Sequence, residues 1–325
     1  MLRTFWAYAV ILGCLASPAD AAGIELLDSN ASVSGAIWYA CAGDPKVVAL
    51  GNLAVRADFG LTGVKDCPVS GPKRPLIIFS HGRGGWFGGH HDTAEALADA
   101  GFIVAAINHP GDTANDSSRR NTLSVWASRP ADMVRLLDFM LNDWKNREVI
   151  DPAKIGFFGF SLGGYTGLVL VGANPDMRRV AERCTEKTAI CEELHNGATL
   201  PDLPHDARIK AAVLADAAIT AAFTQESLAG IQIPLQIWRS ELGGYGVDAG
   251  GTARVSRILP GKPELNVVPA GHYAFLAPCS EQLAITVPSI CTDDPPNFDR
   301  AAFHRDFNAS LVGFFREHLV NNGTR

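Results

Sequence analysis

Apolar residues in this chain gather in short runs that are hydrophobic almost throughout. They occupy residues 24–27, 33–41, 75–80, 102–108, 155–159, 209–215, 234–238 and 265–268. Runs of that length without polar alternation predict strands buried on both faces. Between them the period changes. Residues 93–100 read as a helix, and Met133, Leu136, Leu137, Met140, Leu141 and Trp144 recur at three- and four-residue steps, the stripe of an amphipathic helix. Ser128 reads as its N-cap, with Pro130 in its first turn. Asp151-Pro152 breaks the chain before the next strand, and residues 163–171 and 302–319 give two more helices. Strands alternating with helices predict an α/β fold, a mostly parallel central sheet with helices on both faces. A polar stretch at about 174–206, holding Cys184 and Cys191, interrupts the alternation. It reads as an insertion, either lying over a site or forming an ordinary surface excursion.

The N-terminus departs from this pattern. Arg3 precedes an apolar run over residues 5–16, then Pro18 and Ala19-Asp20-Ala21. That is the layout of a secretory signal, residues 1–21, with cleavage before Ala22. The run is short for a bilayer span, so no stable membrane insertion is expected after signal removal, and the location is secreted or periplasmic. Residues 22–325 read as one domain, without repeats or a long linker. Cys14 leaves with the signal. The remaining six, Cys41, Cys67, Cys184, Cys191, Cys279 and Cys291, form three neighbouring couples, 41–67, 184–191 and 279–291, which an exported chain would oxidise. The net charge of −6, with no basic stripe, excludes nucleic acid as a natural partner. No Cys-x-x-Cys or Cys/His cluster has ligand spacing, so neither metal nor cofactor is expected.

The chemistry centres on Gly159-Phe160-Ser161-Leu162-Gly163, followed by Gly164. A strand precedes it and a helix follows. A serine on so tight a strand-to-helix turn is lifted above the sheet, and side chains two residues either side would collide, hence glycine at both. The hydroxyl needs a base. His272, in Pro269-Ala270-Gly271-His272-Tyr273 after the last predicted strand, lies where a loop can bring an imidazole to the serine. His90 and His91 read as a solvated turn, and His195, His205, His304 and His318 have no motif around them. An acid must orient the imidazole. Asp216 ends one strand and Glu241 the next, and chain order does not choose between them. The glycine-rich turn His81-Gly82-Arg83-Gly84-Gly85 offers backbone N–H groups to a developing oxyanion. The expected donors are the N–H groups of Arg83 and Leu162, the Arg83 side chain reading as solvent-facing.

These stretches, with Phe79-Ser80-His81-Gly82, residues 101–106 and Ala215-Asp216-Ala217, resemble the platelet-activating-factor acetylhydrolase and dienelactone-hydrolase branch of α/β-hydrolases, over about residues 75–275. The resemblance implies an α/β-hydrolase fold and hydrolysis of a small-molecule ester, short-acyl or lipid-like, through a Ser-His-Asp triad. In the acetylhydrolase pattern the acid falls on Asp216; in the dienelactone pattern it falls one strand later, near Glu241. Asp216 is preferred, with Glu241 as the alternative; the dienelactone type also carries cysteine where this chain has Ser161, so lactone hydrolysis is not carried over. The rival readings are a serine peptidase or acyltransferase with the same triad, and a non-catalytic binding protein on the same fold.

Overall fold

The computed structural model describes residues 20–27, 33–55, 59–185 and 187–321. The expected leader therefore lies outside the described residues, apart from its last two positions. Among the described residues ten strands form one sheet: β1 (Asp20–Leu27), β2 (Gly35–Ala42), β3 (Lys46–Ala49), β4 (Gly60–Lys65), β5 (Arg74–Ser80), β6 (Ile103–Ile107), β7 (Ile150–Phe160), β8 (Ile209–Ala215), β9 (Leu235–Ser240) and β10 (Glu264–Val268). Their spatial order is β10-β9-β8-β7-β5-β6-β2-β1-β4-β3. From β10 through β6 every pairing is parallel. β2 joins β6 antiparallel, and the N-terminal strands extend the sheet beyond it.

The helices are α1 (His91–Asp99), α2 (Leu123–Asn142), α3 (Leu162–Leu170), α4 (Met177–Ala181), α5 (Ala189–His195), α6 (Gln225–Leu228), α7 (Ala249–Ile258), α8 (Glu281–Thr286), α9 (Pro288–Cys291) and α10 (Arg300–Phe315). Alternation along β5 shows how both faces are covered. Leu76 and Ile78 join a core with Met133, Leu137 and Leu168 from α2 and α3. Ile77 and Phe79 join another with Leu97, Phe307 and Phe315 from α1 and α10. Parallel strands buried on both faces require this arrangement.

Three local readings need correction. α2 begins at Leu123 with Thr122 as N-cap residue, so Ser128 lies inside it and Pro130 is an interior proline. Leu123, Val125 and Trp126 are buried and carry the apolar stripe upstream of the proline. β7 begins at Ile150, so Asp151-Pro152 does not end the strand. The irregularity appears instead as shifted register against β5 and β8. β3 and β4 escaped notice because they are short and half-exposed, with Gly60 and Gly63 interrupting their pattern.

Cys41–Cys67, Cys184–Cys191 and Cys279–Cys291 are disulfide-bonded. Among the described residues no helix is long and apolar enough to cross a membrane. The stretch 174–206 holds α4 and α5, whose buried Met177 and Leu194 pack into the α2/α3 core.

Candidate active site

Ser161 sits at the point where β7 becomes α3, with φ 56° and ψ −116°. A non-glycine residue there is strained and must be held by its surroundings. The Ser161 N–H donates to Ala215 O, and Ser161 O accepts from Gly164, Tyr165 and Ala218. The flanking glycines are obligatory for contact reasons. A Cβ on Gly159 would overlap the Gly163 carbonyl, and one on Gly163 would overlap Ser80 O at the end of β5. Leu162 opens α3, and its N–H is among those that have no partner within the helix.

His272 and Asp216 meet beside this turn. Asp216 follows β8 with φ 48°, and its Oδ2 accepts from His272 Nδ1 at 2.7 Å. Ser240 fixes the carboxylate further, its N–H donating to Oδ1 (3.0 Å) and its Oγ to Oδ2 (2.6 Å). Both Asp216 and His272 are buried. With Nδ1–H given to the carboxylate, Nε2 is left with its lone pair. The imidazole stacks on Phe160, the residue before Ser161, with centroids 4.6 Å apart. Glu241 is exposed one residue beyond β9, and the structure pairs His272 with Asp216 instead.

The turn at 82–85 closes through Gly85 N–H to Gly82 O. It rests on a buried polar cluster that the sequence did not reveal. Gly84 N–H donates to Asp112 Oδ1 at 2.9 Å, and Asp112 Oδ2 pairs with Arg129 Nη1 at 2.5 Å. Arg129 also donates to His81 O. His81 Nδ1–H donates to Gly82 O (2.7 Å), and its Nε2 accepts from His109 N–H (3.2 Å). His109 in turn lies between Asp132 (2.9 Å) and Ser80 Oγ (2.9 Å). The Ser80–His109–Asp132 array is wholly buried, so its hydroxyl faces no substrate. Burial holds His81 and His109 well below the usual imidazole range and raises Asp132 to about 6. The only sequence signal was Asp112 closing the loop after β6 and Arg129 standing before Pro130. The Arg83 side chain is exposed and bonds Asn121.

His90 corrects another expectation. It is buried, not in a solvated turn. Its Nδ1 contacts Phe275 O at 3.0 Å, its ring meets Phe158 and Phe160 edgewise, and burial lowers it to about 4. His91 pairs with Glu95 at 3.1 Å. A cavity of about 470 Å³ borders the turn at 82–85, Phe160 and Tyr273. None of residues 174–206 lines it, so that stretch does not cover this cavity. Among the described residues, Glu264, Glu317 and His318 form a grouping with ligand-like spacing, but they lie at the β10 edge and the C-terminal helix and share no contact with this site.

A family model described as serine aminopeptidase, S33, matches residues 71–182. That span holds the turn at 82–85 and Ser161 but neither Asp216 nor His272. None of the curated proteins matches the chain. A solved ferulic acid esterase from Streptomyces cinnamoneus is similar over 94% of this chain and 92% of its own, with a TM-score of 0.63 and 19% identity. Sheet order, crossover helices and this likeness together define the α/β-hydrolase fold.

Proposed function

We propose that the chain is a serine carboxylic-ester hydrolase. The reading rests on one observation: the strained, glycine-flanked Ser161 directly follows Phe160, on whose ring the imidazole of a buried His272–Asp216 pair stacks. In this mechanism Ser161 Oγ attacks the ester carbonyl carbon while His272 Nε2 takes its proton. The Arg83 and Leu162 N–H groups hold the tetrahedral oxyanion. The C–O bond to the alcohol breaks, and His272 returns the proton to the departing oxygen. Water then attacks the acyl-enzyme, with His272 again as base, and releases the acid. Asp216 follows the strand after the nucleophile strand, which is the acetylhydrolase arrangement and supports a small-molecule ester substrate. The leader pattern and three disulfides support an exported protein.

Ser161→Ala should lower p-nitrophenyl ester turnover at least about a thousandfold and abolish labelling by a fluorophosphonate. Full activity in that variant would overturn the reading. The aminopeptidase description of the matching family model supports a second reading, a serine peptidase. Faster turnover of aminoacyl p-nitroanilides than of p-nitrophenyl esters would favour it.

A further inference from the structure

The cavity beside Ser161 begins one residue from the candidate nucleophile. A Cβ on Gly82, which borders it, would lie 3.2 Å from the Ser161 Cβ. Of the candidate machinery only the turn at 82–85 borders it; Ser161, Leu162, Asp216 and His272 do not. That asymmetry assigns the cavity to one half of an ester. In acyl transfer the carbonyl oxygen faces the oxyanion N–H groups, and the leaving oxygen faces the imidazole that protonates it. The substituent on the carbonyl carbon is then directed along the oxyanion turn, into this space.

Most of the wall is apolar and comes from distant parts of the chain. Phe59 and Leu61 approach from the N-terminal strands, and Trp86 and Leu276 from the loops around Ser161. The outer wall is α8 and α9, which contribute Leu283 and Ile290, with Val287 between them. This wall is tied down twice. Cys279 and Cys291 bridge its ends, and the Arg300 guanidinium on α10 bonds Ile290 O and Asp294 Oδ2, each at 2.7 Å. The charged groups bordering the cavity already have partners, Glu95 with His91 and Arg83 with Asn121. No built site for an acyl carboxylate is present among them.

We infer that this cavity is the acyl pocket and takes uncharged apolar acyl groups, ring-bearing or of about six carbons and more, with the stapled α8–α9 pair as the wall that sets their size. Its volume of about 470 Å³ falls within the roughly 300–1,000 Å³ of pockets that enclose whole small molecules, far beyond what an acetyl group fills. The inference rests on the serine-ester reading. Each methylene buried is worth up to about fourfold in kcat/KM.

The test compares kcat/KM for p-nitrophenyl acetate, hexanoate, 3-phenylpropanoate and hemisuccinate in the mature protein. Hexanoate and 3-phenylpropanoate should exceed acetate by at least about tenfold, and hemisuccinate should not. Leu283→Trp and, independently, Ile290→Trp fill the cavity from a half-buried surface helix. Each should reduce the hexanoate-to-acetate ratio at least about tenfold. A wild-type preference for acetate or hemisuccinate, or ratios unmoved in both tryptophan variants, overturns the pocket assignment and leaves the ester hydrolase standing. No turnover of any ester, with Ser161 unlabelled by fluorophosphonate, overturns both.

Discussion

Ser161 and Asp216 both hold backbone shapes that side chains rarely adopt, with φ 56° and 48°. Each lies just past the C-terminal end of a central parallel strand, the edge where sites form in such sheets. At Asp216 the left-handed turn brings the carboxylate beneath Ser240 and onto His272, while Glu241 is left in solvent. Asp216→Asn should therefore cost about 10³–10⁴ in kcat, because an amide no longer enforces the Nδ1–H tautomer. Glu241→Gln should stay within about twofold. Steady-state kinetics on one good ester checks both, and the opposite ranking moves the acid role to Glu241. The glycines around Ser161 were legible because steric demand leaves a direct residue signature. Which carboxylate meets His272 was not, since two ended adjacent predicted strands and only the left-handed turn after β8 brings Asp216 to the imidazole. His90 misled for a different reason: its partner, Phe275 O, comes from 185 residues away along the chain.

At the scale of elements, uniform apolar runs marked the central strands well, because burial on both faces leaves no polar position to confuse the pattern. Helix starts were less legible. Pro130 suggested the beginning of α2, yet the upstream apolar residues keep the helix going through it, sacrificing one backbone donor. α8 and α9 left no signal, being short and meaningful only against the cavity they border. Their bridge closes a loop of 12 residues, a constraint worth about 3 kcal/mol against the open segment. Removing it by Cys279→Ser together with Cys291→Ser should loosen the outer wall. KM for p-nitrophenyl hexanoate should rise by about threefold or more, with a smaller change in kcat. An unaltered KM would show that Arg300 alone fixes these helices.

For the whole molecule, the buried histidines set the response to acid. His81, His90 and His109 are all kept neutral by burial, His90 titrating near 4 against an ordinary 6.5. A depressed histidine contributes stability above pH 6.5 that is lost as pH falls toward the folded value, because the unfolded chain binds the proton first. Asp132, raised from 3.8 to about 6, acts oppositely and returns part of that loss as it protonates. Between pH 7 and 4.5 the net unfolding free energy should fall, with His90 alone contributing about 2 kcal/mol. Urea unfolding of His90→Asn, which keeps a donor for Phe275 O, should show a drop smaller by about that amount, and an identical drop would exclude His90. The order of strands across the sheet was beyond the sequence, since β5 pairs with both β6 and β7 only once the whole chain is wound. The bridges follow the simplest pattern available: from Cys41 onward each cysteine joins its immediate neighbour in the chain, and no bridge straddles another. A polypeptide emerging N-terminus first into an oxidising compartment could complete each pair before the next arrived, so order of appearance alone would suffice to give this pairing.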